Sequence, residues 1–293
     1  MLFFYTKGEL LGRFGALTDN QFPYTDISAF AMQTDHLKIG AAQLDIAIGH
    51  AEANLHKVQQ YTTQAAAEGC DLIVFPEVIT SGFADFERLA ELPPYTSLET
   101  IRELAISHKV AIASSMLLRE GDSIYNRIFL ATAEGDLLTQ DKRHLFSPGG
   151  EAKYVSPALE RHIYLFKGWR ILLTACYDLR FPVWCRNRNN EYDLIINCAN
   201  WPQPRRRVWQ TLLNARAMEN LCYVCGVNRV GTDDDGLHYT GDSAIVDPRG
   251  NHLGEATPEE EQFFSAIIER EPMEKLRRKF PVWKDADSFT LIY

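Results

Sequence analysis

Strand and helix signals alternate along this 293-residue chain. The alternation predicts an α/β fold, a four-layer αββα sandwich of two mixed sheets stacked face to face with helices outside. Three observations carry that expectation. Apolar runs such as residues 72–75 and 171–175 have the composition of strands buried on both faces. Hairpin signals stand between the strand–helix units, so each sheet mixes parallel and antiparallel pairs. No linker divides the pattern, so it belongs to one domain.

Residues 37–44 read as the first strand. Residues 51–68 form a helix with Leu55, Val58, Thr62, Ala65 and Ala66 on one side and Gly69 as its stop. A strand running to Glu77 follows, then a helix over 98–108 and a strand over 110–117. Residues 124–133 and 137–142 pair across Glu134-Gly135-Asp136, and 162–166 pair with 169–175 across Lys167-Gly168. Residues 181–189 read as a short helix, 193–199 as a buried strand and 205–220 as a longer helix. Strands over 221–230, 240–247 and 262–269 complete the set, with Pro248-Arg249-Gly250 as a turn. Residues 1–36 differ, because Gly8, Gly12, Gly15 and Pro23 punctuate them and no period appears. They are expected to be an extension, peripheral or non-native, with Met32 as an alternative start; residues 37–293 form the domain.

Composition narrows the function. With 46% hydrophobic residues the chain can bury a sizeable core. A net charge of −9 argues against nucleic acid or an acidic membrane surface as partner. The one basic cluster, Arg205-Arg206-Arg207, opens a helix and reads as a solvated or subunit-facing helix end. No apolar run reaches the 18 or so residues of a membrane span, and the Leu2-Phe3-Phe4-Tyr5 run lacks the features of a secretory signal. Six cysteines, mostly in apolar strand windows, are expected to be reduced thiols in the cytoplasm. Cys222 and Cys225 form a C-x-x-C string, but within a strand they face opposite ways and read as packing. No His/Cys/Asp cluster has ligand spacing, so no metal or cofactor is expected.

Three strand ends carry chemistry. Cys176 follows the apolar run 171–175, and Asp178, Arg180 and Pro182 then turn the chain. The C-terminal edge of a strand is where open α/β sheets place reactive groups. Asp71-Leu72-Ile73-Val74-Phe75-Pro76-Glu77 delivers a carboxylate in the same manner, and Leu137-Leu138-Thr139-Gln140-Asp141-Lys142 a lysine. Glu, Lys and Cys in that order suggest a set converging above a sheet. These windows resemble the catalytic triad of the carbon–nitrogen hydrolase (nitrilase) superfamily, and the resemblance runs from Leu37 to the end of the chain. Glu151, in Ser-Pro-Gly-Gly-Glu, matches that family's second glutamate. Cys-Tyr-Asp-Leu-Arg-Phe-Pro at 176–182, Asn200-Trp201-Pro202, Ala-Arg-Ala-Met-Glu-Asn at 215–220 and Gly241-Asp242-Ser243 are similar to the omega-amidase branch. Members of that branch hydrolyse the terminal amide of 2-oxo acids such as 2-oxoglutaramate. The resemblance implies the same αββα fold, no cofactor, and a homodimer joined through 181–189 and 205–220.

Amide hydrolysis needs a strong nucleophile, a proton donor for the leaving nitrogen and a site for the oxyanion. Cys176 is expected to attack, with Glu77 taking its proton and returning it to the departing ammonia. Lys142 would ease thiolate formation and hold the oxyanion with the backbone N–H of Tyr177. Glu151 orients Lys142 or the substrate amine, or is an ordinary loop carboxylate. Arg180 either binds a substrate carboxylate or forms a structural salt bridge. Trp201 and Phe83 either wall the pocket or belong to the core. His144, near Lys142, and His238 stand at no strand end, and His144 reads as a structural histidine. The substrate is a small amide. Competing readings are an N-carbamoyl amine, deaminated glutathione or a nitrile as substrate, or a catalytically silent binding protein on the same fold, which the intact Glu77, Lys142 and Cys176 argue against.

Overall fold

The structure, a computed structural model, describes residues 34–290. Residues 1–33, most of the expected extension, lie outside the described residues. Thr34 N bonds the Lys167 carbonyl, and Arg270 N bonds the Asp35 carbonyl.

Among the described residues the first five strands are β1 (His36–Gln43), β2 (Leu72–Val74), β3 (Ala111–Glu120), β4 (Ser123–Ala131) and β5 (Leu137–Asp141). Between them lie the helices α1 (Ala51–Ala67), α2 (Phe86–Leu89) and α3 (Thr96–His108). The second half contributes β6 (Ile163–Phe166), β7 (Trp169–Ala175), β8 (Leu194–Ala199), α4 (Arg206–Asn220) and β9 (Tyr223–Asn228). A short hairpin of β10 (Val230–Thr232) and β11 (His238–Thr240) follows, then β12 (Ala244–Val246), β13 (His252–Glu255), β14 (Gln262–Glu269) and α5 (Arg270–Lys279). One six-stranded sheet has the order β14-β1-β2-β3-β4-β5, the other β13-β12-β9-β8-β7-β6. Both are mixed, with β1-β2-β3 and β7-β8-β9 parallel and the flanking pairs antiparallel.

Strand parity builds the layers. Ile39, Val74, Ala113 and Ile128 of the first sheet meet Ile171, Leu173, Ile196 and Cys225 of the second in one fully buried cluster between the sheets. The opposite face of the first sheet (Ile73, Phe75, Ile112) packs on Val58 and Ala65 of α1 and Ile101 of α3. The opposite face of the second (Leu172, Ile195, Val224) packs on Trp209, Leu213 and Ala217 of α4. This is the expected αββα sandwich. Cys225 lies in the layer between the sheets and Cys222 in the layer against α4, so the pair faces opposite ways, and all six cysteines are free.

Three local expectations fail. No helix forms over 181–189: Phe181 is extended at φ −106°, ψ 93°, because Pro182 disfavours the helical region for the residue before it. The helical turn sits upstream, a 3₁₀ turn at Cys176–Arg180. The strand expected over 240–247 is two strands in different sheets. Gly241 and Asp242, both left-handed at φ 74° and 58°, break it, and a Cβ on Gly241 would fall 2.0 Å from Gln43 Oε1. Leu221 does not begin a strand, but caps α4 at φ 46°. The strand β13 and the polar helix α5 are additional.

Candidate active site

β2 and β5 run parallel to each other in the first sheet, and β7 and β8 in the second, so four strand ends open on one side. Glu77 lies three residues beyond β2, Lys142 one beyond β5, Cys176 one beyond β7 and Asn200 one beyond β8. Ser114 Oγ bonds the Pro76 carbonyl at 2.5 Å and Ser115 Oγ accepts from Val78 N at 2.8 Å, which pins the Glu77 segment to β3.

Glu77, Lys142 and Glu151 are wholly buried. Lys142 Nζ donates to Glu77 Oε1 at 2.8 Å and to Glu151 Oε1 and Oε2 at 3.0 and 2.9 Å. Asn126 Nδ2 bridges the two carboxylates, at 2.8 Å from Glu77 Oε1 and 3.1 Å from Glu151 Oε1. Glu77 Oε2 accepts from Asn200 N at 3.0 Å, and Glu151 Oε2 from Phe146 N at 2.6 Å. Glu151 is therefore no ordinary loop carboxylate. Burial disfavours the Lys142 ammonium, yet Glu151 and then Glu77 outweigh that and hold its pKa above the ordinary lysine range. Burial, with a further push from Glu77, raises Glu151 against the pull of Lys142.

Cys176 occupies a sharp corner. Ala175 is extended, Cys176 is left-handed at φ 42°, and its Sγ points to the Asn200 carbonyl at 3.7 Å. Asp178 braces the corner by accepting from Ala175 N at 3.2 Å. The Cys176 thiol is pushed well above its usual range, first by burial and then by Glu77, with Lys142 opposing. Lys142 lowers the thiol as expected, but burial and Glu77 outweigh it. A resting thiol that gives up its proton as it attacks fits this balance. His144 is tied to Asp178 Oδ1 through both its backbone N and Nδ1, at 2.8 Å each, and stacks on Phe181. It is a structural histidine.

A cavity of about 400 Å³ opens at Cys176, lined by Tyr177, Arg180, Trp201 and Phe83 among others. The three residues expected around the substrate, Arg180, Trp201 and Phe83, line it, as does Tyr177, the expected backbone oxyanion donor. Arg180 lies over the Trp201 ring at 5.0 Å and makes no ion pair among the described residues. Phe83 lies 5.4 Å from Lys142 Nζ. A wider open depression of about 950 Å³ beside α1 and α3, around His50 and His56, contains none of these residues. Among the described residues no group of three or more His, Cys, Asp or Glu could hold a metal ion, and no helix is long and apolar enough to cross a membrane.

The sequence reading missed Asn126 and Phe146, gave Asn200 no role in the site, and placed Arg205 on a helix end. The first had a signal: Ile124, Asn126, Ile128 and Leu130 share one buried face of β4, where a lone amide is out of place. Arg205 splits from its neighbours, since Arg206 pairs with Asp242 at 2.7 Å while Arg205 lines the cavity.

Residues 38–278 match the carbon–nitrogen hydrolase family. The chain is 42% identical to omega-amidase YafV of Yersinia enterocolitica over 222 residues, 76% of this chain and 86% of that one. It is 31% identical to 2-oxoglutaramate amidase of Bacillus subtilis over 252 residues, 84% and 96% of the two chains. A solved carbon–nitrogen hydrolase superfamily protein of Xanthomonas campestris, with an arsenic adduct in its active site, superposes with a TM-score of 0.84 at 39% identity. That match covers 88% of this chain and all of that one. The chain belongs to the carbon–nitrogen hydrolase family, and it is a hydrolase acting on carbon–nitrogen bonds of the amide type.

Proposed function

We propose that this protein is an omega-amidase, releasing ammonia from the terminal amide of small 2-oxo dicarboxylic acid ω-amides such as 2-oxoglutaramate through a cysteine thioester. One observation carries the reading: the buried Glu77–Lys142–Glu151 cluster lies against Cys176, in a cavity whose Arg180 has no acidic partner among the described residues. The names of the relatives at 42% and 31% identity support the same substrate class.

As Sγ attacks the amide carbon, Glu77 takes the thiol proton and the carbonyl electrons move to oxygen. Lys142 and the Tyr177 backbone N–H hold that oxyanion. Collapse of the intermediate expels the amide nitrogen, which takes the proton from Glu77 and leaves as ammonia. Water then attacks the thioester, giving one proton to Glu77 and from there to Sγ, and the acid departs. Arg180 receives the carboxylate at the far end of the substrate, against the walls formed by Trp201 and Phe83. The enzyme works on this reading as a cytoplasmic homodimer. The six free cysteines and the exposed apolar Val183 and Met218, in the two segments expected at the subunit face, support that.

Ammonia release measured across 2-oxoglutaramate, nitriles and N-carbamoyl amines tests the substrate. The 2-oxo ω-amide should have the highest kcat/KM, and faster turnover of a nitrile or carbamoyl compound would overturn the assignment.

A further inference from the structure

The cavity at Cys176 holds a second guanidinium, that of Arg205, which like Arg180 makes no hydrogen bond or ion pair among the described residues. Each rests on an aromatic wall. Arg180 covers Trp201 at 5.0 Å, and Arg205 covers Phe146 at 5.0 Å. Both walls are fastened to the buried cluster: Phe146 N bonds Glu151, and Trp201 follows Asn200, whose N bonds Glu77. Trp201 Nε1 also bonds the Arg205 carbonyl at 2.9 Å, which fixes the main chain from which the Arg205 side chain projects. A guanidinium seated on a ring face is positioned by it, yet keeps its N–H edge free for an anion.

The carboxylates around the cavity do not answer these charges. Asp85 is bonded to Arg88 at 2.6 Å. Asp233 accepts from the backbone of Asp235 and Leu237 and from the Tyr239 hydroxyl. Asp235 is exposed. Two partly buried, unanswered cations in a small cavity define an anion site larger than a single carboxylate needs. One fork suits a carboxylate in bidentate fashion. A 2-oxo acid offers a third acceptor next to it, the oxo oxygen.

The geometry points to Arg205 as a second specificity-determining residue, which with Arg180 grips the 2-oxo-carboxylate end of the substrate. The inference rests on the cavity being the site of amide hydrolysis. It makes selection for the 2-oxo group a property of two arginines from different strand ends.

The test compares kcat/KM for 2-oxoglutaramate, glutaramate (the same acid without the oxo group) and uncharged pentanamide in wild type, Arg205→Met and Arg205→Lys. In Arg205→Met, 2-oxoglutaramate should fall roughly tenfold to a hundredfold, glutaramate less, and pentanamide by less than about threefold. Arg205→Lys, which keeps the charge and loses the fork, should fall in between. Arg205 makes no side-chain hydrogen bond, so the melting temperature should hold. Equal losses on all three substrates, or none on 2-oxoglutaramate, would overturn the inference while leaving the amidase reading standing. If wild type instead prefers pentanamide, the substrate proposal falls, and protection of Cys176 from iodoacetamide by 2-oxoglutarate decides the matter for Arg205. Protection weakened at least tenfold in Arg205→Met supports the anion grip. Protection equal in both proteins, or absent from both, ends it.

Discussion

Both carboxylate oxygens of Glu151 lie against a single nitrogen, Lys142 Nζ, at 3.0 and 2.9 Å. Glu77 takes the third direction at 2.8 Å. An ammonium has three N–H donors, and here all three are committed to carboxylates before any substrate arrives. On the proposed mechanism an oxyanion is received only if one donor is released, and the doubled contact to Glu151 is the one that can give up a bond and keep another. Glu151 thus holds the lysine in place without locking it.

Glu151→Gln should damage this arrangement more than its size suggests. In either orientation the amide NH₂ would face Lys142 Nζ, with Asn126 Nδ2 or Phe146 N beside it, all of them donors, and the buried ammonium would lose one of its two counter-ions. Removing one partner of a buried pair typically costs about 3–5 kcal/mol. Denaturant unfolding should show a loss of that order, with kcat/KM down by a hundredfold or more. Wild-type stability and activity together would mean that the ion pair contributes to neither.

Cys176→Ala should abolish ammonia release with the fold intact, and it also provides a titration. The thiol is raised above its ordinary value of 9.0 by burial and by Glu77, and the other five cysteines are raised as well, burial leading in each case. A raised thiol pKa keeps the proton on sulfur at neutral pH. Thiolate absorbance should then be absent below pH 9 in both wild type and Cys176→Ala. A wild-type-only thiolate signal near neutrality would show a preformed ion pair and remove Glu77 as the proton acceptor in the attack.

Asn126 supplies the only neutral contact common to both carboxylates among the described residues, through one Nδ2. Asn126→Asp would set a third carboxyl 2.8 Å from Glu77 with one ammonium to share. Like charges at that distance cannot all ionise, so a proton must be taken up and Glu77 can become its holder. Activity near neutral pH should fall at least a hundredfold, by the order expected for disabling a general base. Asn126→Ala should lose less. If Asp and Ala variants were equally active, the amide bridge would have no electrostatic role.

What the sequence disclosed follows a physical division. Glu77, Lys142 and Cys176 were legible because each follows a strand signal, and strand ends of this kind converge in an α/β sandwich. Glu151 was visible only through resemblance, since Ser-Pro-Gly-Gly-Glu is a loop whose burial comes from partners that folding brings to it. Arg205 stayed hidden because three consecutive arginines look alike in a sequence. Asp242, 36 positions away from Arg206, decides which of them is consumed. The helix expected over 181–189 could have been shortened locally, since Pro182 takes Phe181 out of the helical region, but a proline suits a first helical position and does not by itself forbid a helix beyond it. The break at Gly241 was not local, because Gln43, from the other end of the chain, presses on it.

The helix α5 is polar, and its attachment has an acid-sensitive centre. Asp193 is wholly buried, and receives Arg277 at 2.7 Å from α5 and Arg170 at 2.6 Å from β7, with Arg270 at 3.9 Å. Burial alone would raise its carboxyl, but the arginine bonds and charges more than offset that, and its pKa is lowered below 3.8. A depressed acid stabilises the fold fully above its unfolded pKa and loses that contribution as the pH falls through the lower folded value. Wild type should therefore keep this share of stability down to about pH 4 and lose it only below, in the range where the folded carboxyl titrates. Asp193→Asn leaves two buried arginines short of a counter-ion, at a cost of about 3–5 kcal/mol, and the melting temperature should drop by roughly 10 °C at neutral pH. The gap between variant and wild type should narrow only below pH 4. A gap that closed between pH 7 and 5 would assign the titration to another group and detach α5 from Asp193.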